Sequence, residues 1–412
     1  ARARLALAGG RPGARPREEA SEGVRVVEFA LFLQGHSPKE RAHDPYWEHQ
    51  WVRNELELVR VADQHNWKYV WVSEHHFLEE YSHLSASEVF MAYAFAQTSR
   101  IHLGSGIFNL NPIVNHPVKL AERVAMLDHV SEGRFEFGTG RGAGSHEIGG
   151  FGLDPSETKA NWDEVIWEFR KMWSQRAYSH PDGKAFVVPE TGTQGTFNVL
   201  PKPYVHTHPA MWVAAGNPPT YEKAALHGMG VLGFNVAAIY DMAPMVKAYK
   251  DAIGDASPVG DYVNDNVMIA NGLICLEDGK LARQVATRMG LSYLQSLVFR
   301  YHDTFPKPEG APQWPELIPE PTLDDIEARI DAGFLLCGDP DEVYEQVKRY
   351  EEIGCDQVSF GFPLDMPHEY ALESIRLFGD HVIPKLDKDP VHRTTRFREA
   401  AGGPLTLEAP KP

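Results

Sequence analysis

The sequence predicts one α/β domain folded as a TIM-type (β/α)8 barrel with insertions. Three observations carry that expectation. Eight short apolar or β-branched runs alternate with helix-like stretches, the rhythm of parallel strands joined by crossover helices. No GxGxxG follows the first run, as it would in a doubly wound sheet built around a dinucleotide. Polar and glycine-rich clusters come directly after several runs, at the strand ends where barrel active sites sit.

The elements follow in order. Val24–Leu33 reads VRVVEFALFL and suits a strand buried on both faces. Helical spacing over Trp47–Gln64 leads into a second strand, Tyr69–Ser73. Ser85 followed by Glu88 has the form of a capping box and opens a helix to Gln97. Ile101–Phe108 is the third strand, and Pro117 at a first helical position starts a helix to Val130. Arg134–Gly140 is the fourth strand, and Thr158–Ser174 is a helix with one apolar and aromatic face. Residues 175–209 break the rhythm and predict a hairpin insertion. Met211–Gly216 and Gly230–Asn235 are the fifth and sixth strands, with helices over Thr220–His227 and about Met242–Ile253. Val267–Leu276 is the seventh strand, and a long helix starts at Leu281. A second insertion spans about 304–336, and its Pro-rich part, 304–323, suits a mobile lid. Asp339, Pro340 and Glu342 supply a cap, a first-turn proline and a capping box. Asp356–Phe362 is the eighth strand, and Glu369–Phe378 lies in the last helix. Residues 1–22 read as a mobile N-terminal extension, 23–388 as the barrel domain, and 389–412 as a loose C-terminal tail.

Composition narrows the function. The chain has 412 residues, 43% of them hydrophobic, enough for a sizeable core. Its 57 acidic and 40 basic residues give a net charge of −17, which argues against nucleic acid or an anionic membrane surface as a main partner. No run of 18 apolar residues occurs, so no bilayer span is expected. Cys275, Cys337 and Cys355 stand too far apart in sequence for a disulfide framework or a CxxC metal site. A reducing, cytoplasmic location is expected.

Four clusters carry the candidate chemistry. Glu74-His75-His76-Phe77 follows the second strand. Neighbouring strand side chains alternate faces, so one histidine can enter the barrel mouth while the other points away, and the two do not chelate one metal. A histidine there donates and accepts protons near neutral pH; the bland reading is a hydrogen-bonded core pair. Gly138–Gly152 follows the fourth strand, with Arg141 as a cation among glycines that suits a phosphate. Ala214–Gly228 follows the fifth strand, where Thr220 and the first amides of a helix suit an anion. Because the fourth and fifth strands are neighbours, Arg141 and this turn can serve one phosphate. Gly104–Leu127 adds Asn109, Asn111 and Asn115 at a strand end. Trp47, Trp51 and Trp71 read as packing residues. No Walker A, HExxH or GxSxG sequence is present.

WVSEHHF, HPVKLAERVAMLDHVSEGRFEFGTGRG and the closing LFGDHVIPKL together resemble bacterial luciferase and the luciferase-like flavin-dependent monooxygenases, from about Val24 to Asp387. The resemblance implies a barrel that binds reduced FMN supplied by a separate NAD(P)H-dependent flavin reductase. Oxygen adds to that flavin as a C4a-(hydro)peroxide and is delivered to a small organic substrate such as an aldehyde or ketone. It places His75 at the catalytic histidine, with Glu74 and His76 beside it, and Arg141 at the phosphate arginine. It places Gly216, Asn217 and Thr220 in the phosphate turn, and Gly106–Ile107 at a non-prolyl cis peptide behind the flavin ring, with Asn109 and Gly140 close by. Gly140 stands where luciferase has a reactive cysteine, Ala215 and Gly216 replace a Glu-Ser pair, and Pro219 replaces a threonine. These departures bear on light emission and on aldehyde as the substrate. A homodimer is implied through the helices after strands two and three, where Ala92, Ala94 and Ala96 permit close packing. Two other readings stand beside this one: a deazaflavin (coenzyme F-420) dependent dehydrogenase or reductase, separated by its indifference to oxygen, and a non-catalytic flavin-binding barrel, against which His75 and Arg141 count.

Overall fold

A computed structural model describes residues 27–402 apart from 38–40, 42–43, 143, 205–206, 235–237, 289–290, 304–306, 308–309 and 364. The N-terminal extension and residues 403–412 lie outside the described residues. The described strands are β1 (Glu28–Leu33), β2 (Tyr69–Val72), β3 (His102–Ser105), β4 (Phe108–Asn109), β5 (Phe135–Gly140), β6 (Met211–Ala215), β7 (Gly230–Phe234), β8 (Val267–Cys275), β9 (Leu335–Gly338) and β10 (Gln357–Gly361). Parallel pairing runs β1-β2-β3-β5-β6-β7-β8-β10, and β10 returns to β1 with Glu28 opposite Gln357. Eight strands therefore close a TIM barrel, and they are the eight runs read from the sequence.

Two short strands lie off that circuit. β4 pairs with the end of β5, because the expected third strand is interrupted between Ser105 and Phe108, where the Gly106–Ile107 peptide is cis. β9 pairs with the outer half of β8, Gly272–Cys275. Leu335–Gly338 is a four-residue run that straddles the end of the expected second insertion, too short to stand out by periodicity.

Inside the barrel, the rings of Trp71 and Trp212 meet edge to face at 5.0 Å, packed with Ala30, Leu232 and Met268. The fill depends on Gly104, where an added Cβ would stand 2.3 Å from the Trp71 ring. Outside, helices cover the strands, which accounts for their nearly continuous burial. No helix among the described residues is long and apolar enough to cross a membrane.

Several boundaries differ from expectation for local reasons. The helix after β2 is Ser87–Phe95, capped at Ala86 with no side-chain bond; Glu88 instead pairs with Arg123 at 2.7 Å. Thr158–Ser174 is two helices, 158–165 and 168–174. Residues 175–209 contain isolated antiparallel bridges, Tyr178 with Phe197 and His180 with Val188. The helix expected from Leu281 is two, Gly279–Ala286 and Leu291–Tyr301. The capping box at Asp339 is formed on both sides.

The largest correction concerns the C-terminal tail, expected to be loose from Asp389. Residues 393–402 form a helix that closes the N-terminal end of the barrel. Thr394 and Arg398, one turn apart on one face, are buried. Arg398 reaches Asp128 through both carboxylate oxygens, at 2.8 and 2.7 Å. Thr394 and Arg398, within the stretch that read as a tail, plug a polar floor.

Candidate active site

The C-terminal strand ends hold most of the candidate residues along one edge, from β2 to β6. After β2 the two histidines diverge. His75 Nδ1 lies 3.1 Å from Glu147 Oε2, on the short helix 145–150. Its ring stands 5.2 Å from that of His302 and 5.7 Å from that of Tyr81. Burial and the facing His75 push His302 down to about 3, so His302 is neutral at physiological pH. His76 turns the other way, to Glu74 Oε1 at 3.3 Å and to the Phe151 ring at 5.0 Å. The hydrogen bond to Glu74 raises its pKa.

Glu74 belongs to a polar chain that continues to Arg141. Asn115 Nδ2 donates to Glu74 Oε1 at 2.9 Å and to the Asn109 carbonyl at 3.0 Å. Asn109 Oδ1 accepts from both the backbone and the side chain of Asn111. Asn111 then donates to the Arg141 carbonyl at 2.9 Å. Asn109 also sits opposite Gly140 in the β4–β5 ladder. At Gly140 a Cβ would stand 2.7 Å from Ile107. The Ile107 side chain occupies that space, which excludes any side chain there without a shift. Gly106, Ile107, Asn109, Gly140 and Arg141 therefore form one patch.

The Arg141 side chain is exposed and donates to Thr158 Oγ1 at 3.0 Å. Among the described residues no carboxylate lies within ion-pairing distance of it. Thr139 pairs with Val213, so Arg141 and Gly216 leave the same edge of the mouth a few residues later. The turn itself departs from expectation. The helix begins at Pro218, not Thr220, with Pro218 and Pro219 in its first turn, and proline has no N–H. Asn217 Oδ1 accepts from the Thr220 amide at 3.1 Å and from its hydroxyl at 2.8 Å. The helix amides expected to bind an anion are thus missing or engaged. Gly216 and Asn217 remain as the amides ahead of the prolines, and the residues present fit a phosphate chiefly through Arg141.

Leu297 and Tyr301 of helix 291–301 pack on Leu78 and Tyr81, and Trp314 of the Pro-rich segment packs against the same cluster, so both segments lie over the Tyr81 side of His75. Sequence reading did not single out Glu147, His302 or Tyr81. Glu147 lies within the quoted glycine-rich cluster; His302 is more than two hundred residues from His75, and no local pattern marks it.

A cavity of about 890 Å³ opens on the opposite side of the mouth, at the ends of β1, β7, β8 and β10. Neither His75 nor Arg141 lines it, but Tyr81 does. Tyr81 therefore touches both the His75 ring and this cavity.

Residues 27–357 match the family model described as luciferase-like monooxygenase. A limonene 1,2-monooxygenase of Rhodococcus erythropolis is 27% identical over 82% of each chain. The oxygenase component of a flavin-dependent trigonelline monooxygenase of Acinetobacter baylyi is 25% identical over 89% of this chain and 98% of that one. Among solved structures, a monooxygenase from Streptomyces bottropensis superposes with a TM-score of 0.72 at 24% identity, over 88% of this chain and all of that one. The oxygenating constituent of 3,6-diketocamphane monooxygenase from Pseudomonas putida, solved with FMN, gives 0.69 at 20% identity, over 88% and 99%.

Proposed function

The chain belongs to the luciferase-like monooxygenase family, and we propose that it is the oxygenase of a two-component system that uses reduced FMN and O2 to oxygenate a small organic substrate. The bound reduced flavin supplies the electrons for oxygen activation. The observation that carries this reading is the single polar edge that joins the His75 region to Arg141, a cation with no carboxylate partner among the described residues. Arg141, with Gly216 and Asn217, holds the phosphate. Gly106, Ile107, Asn109 and Gly140 shape the floor beside it. The Glu147 carboxylate accepts from His75 Nδ1–H, which leaves Nε2 to accept or return a proton.

A separate NAD(P)H-dependent reductase supplies the reduced flavin, in line with the relative named as an oxygenase component. Three buried free cysteines suit a reducing cytoplasm. In a homodimer the contact face is exposed Val89 and Tyr93 with Met126 and Val130 of the next helix. Ala94, named from the sequence, packs inward.

The test is titration with oxidised FMN, reduced FMN and the deazaflavin, followed by oxygen uptake. Tight binding of reduced FMN with oxygen consumption supports the proposal. Hydride transfer from the reduced deazaflavin without oxygen uptake replaces it with a dehydrogenase. FMN binding with neither reaction leaves a flavin carrier.

A further inference from the structure

We infer that Glu55 holds the organic substrate in the 890 Å³ cavity by donating a hydrogen bond to the carbonyl oxygen of an otherwise apolar molecule. The inference rests on the oxygenase reading above for the word substrate. The site itself rests on geometry.

Helix 47–64 turns Trp51, Asn54, Glu55 and Leu58 toward the cavity, the i, i+3, i+4, i+7 spacing of one helical face. Much of the facing wall is apolar, including Phe32, Phe234, Val298 and Phe362. The volume is that of a small-molecule site. A carboxyl group in such a wall needs a reason. Glu55 Oε1 accepts from the Gly35 amide at 2.8 Å, and the Gln34 backbone amide also favours the ionised carboxyl. Oε2 is buried with no hydrogen-bond partner.

Several other polar groups around the cavity are engaged. Gln34 donates to Tyr81 Oη at 3.0 Å and bonds His36 Nε2 through its oxygen at 2.7 Å. Asn271 donates to the Gly333 carbonyl and accepts from the Gly272 amide, both at 2.8 Å. His368 is held by Glu57 at 2.9 Å. Burial pushes Glu55 up to about 7 and pushes His36 down to about 4. The protonated carboxyl is therefore available at neutral pH, with no imidazolium at His36 to hold the ionised form. An apolar molecule that displaces water drives the carboxyl further toward its neutral form. A buried O–H then needs an acceptor, and a ligand carbonyl supplies it. A cationic ligand is opposed by Arg41 and Arg329, which line the same cavity.

The probe is cyclohexyl methyl ketone carrying ¹³C at the carbonyl, added to the full chain without flavin. Binding is followed by ligand NMR, and the carbonyl stretch by infrared difference spectroscopy. The expected result is saturable binding with a carbonyl band shifted below its position in a hydrocarbon solvent. Glu55→Leu should return the band to the hydrocarbon position and weaken binding about tenfold. Glu55→Gln, closer in shape and able to donate from its amide, should keep part of the shift, and it decides the matter if the leucine variant does not fold. An unchanged band in the variants, or no saturable binding to the parent, overturns the inference. Because no flavin or oxygen is present, that result leaves the oxygen-uptake test untouched. Failure of oxygen uptake with a Glu55-dependent band would instead leave a ligand site and remove the proposed reaction.

Discussion

The two ends of the barrel use charge in opposite ways. At the N-terminal end, Lys68 sits between Glu28 at 2.7 Å and Asp387 at 2.8 Å. Arg398 grips Asp128, and Glu136 collects His102, Trp212 and Thr394. Each of these groups is buried and spent on a neighbour. At the C-terminal end, Arg141 has no carboxylate within reach among the described residues and Glu55 Oε2 has no partner. The comparison teaches where to look for function: one end uses polar groups to hold the fold, and the other leaves them for a ligand. That division is expected of barrels, whose strand C-termini carry chemistry.

The sharpest way to break the comparison is at His75. If the mouth is the reacting end, His75→Ala should slow the chemical step by ~10²–10⁴, the usual cost of a positioned acid or base, and so lower the product formed per oxygen consumed. The variant should still bind reduced FMN and should release hydrogen peroxide. His76→Ala, which loses a contact to Glu74 and Phe151, should leave coupling nearly intact and lower stability. A His75→Ala enzyme as well coupled as the parent removes the assignment.

The matching experiment at the other end is Arg398→Ala. It strands Asp128, which is fully buried, and loss of one partner of a buried pair costs about 3–5 kcal/mol. Urea denaturation should show that loss, while FMN affinity at temperatures where the variant is folded stays within about twofold, since distant sites are nearly independent. A large affinity change with little change in stability would merge the two ends.

The sequence made the barrel legible because its strands are buried on both faces, so apolar runs such as YVWV survive any register. The mouth was legible in part for a similar reason: His75 and Arg141 lie directly beyond strand ends, at positions that counting along the chain can find. What was hidden depends on other elements. Glu147 reaches His75 from the short helix 145–150 and His302 from beyond helix 291–301, and Glu55 looks like an ordinary helix-surface residue until β1, β8 and β10 place a cavity against it. The floor was misread because Thr394 and Arg398 carry no apolar period; their burial is enforced by partners on β5 and on the helix before it. The amides after β6 were overestimated because the helix was read from Thr220, whereas Pro218 and Pro219, which lack donors, occupy its first turn.

Arg141→Ala tests the mouth more gently. A charge-assisted contact to a phosphate contributes roughly 1.5–3 kcal/mol, so FMN should bind about tenfold more weakly or worse. Riboflavin, without the phosphate, should lose little. Because the helix beginning at Pro218 offers few free amides, Arg141 should account for most of the preference for FMN over riboflavin. Equal losses for both ligands would take Arg141 out of the phosphate site.

The smallest effect separates the ends by pH. Burial pushes Glu136 up to about 8, against hydrogen bonds from Thr394 and Trp212 that favour ionisation. The folded state thus holds a proton that the unfolded state, near 4.5, has already released. That contribution is full below pH 4.5 and disappears as pH rises through 8. His102 and His392 work in the other direction: burial lowers both, so their penalty falls below their ordinary value of 6.5 and is gone by slightly alkaline pH. Between pH 7 and 8.5 the Glu136 effect is thus no longer offset by these histidines; burial also raises Glu28, so the Glu136 share is read as the difference between parent and variant. The parent should lose about 1–2 kcal/mol of stability over that window. Glu136→Gln, which stays neutral and keeps an acceptor for Trp212 Nε1, should lose much less. Urea midpoints at pH 7.0 and 8.5 measure both slopes; equal slopes in parent and variant would mean that Glu136 is already ionised in the folded protein, and that the floor carries one more uncompensated charge than this geometry allows.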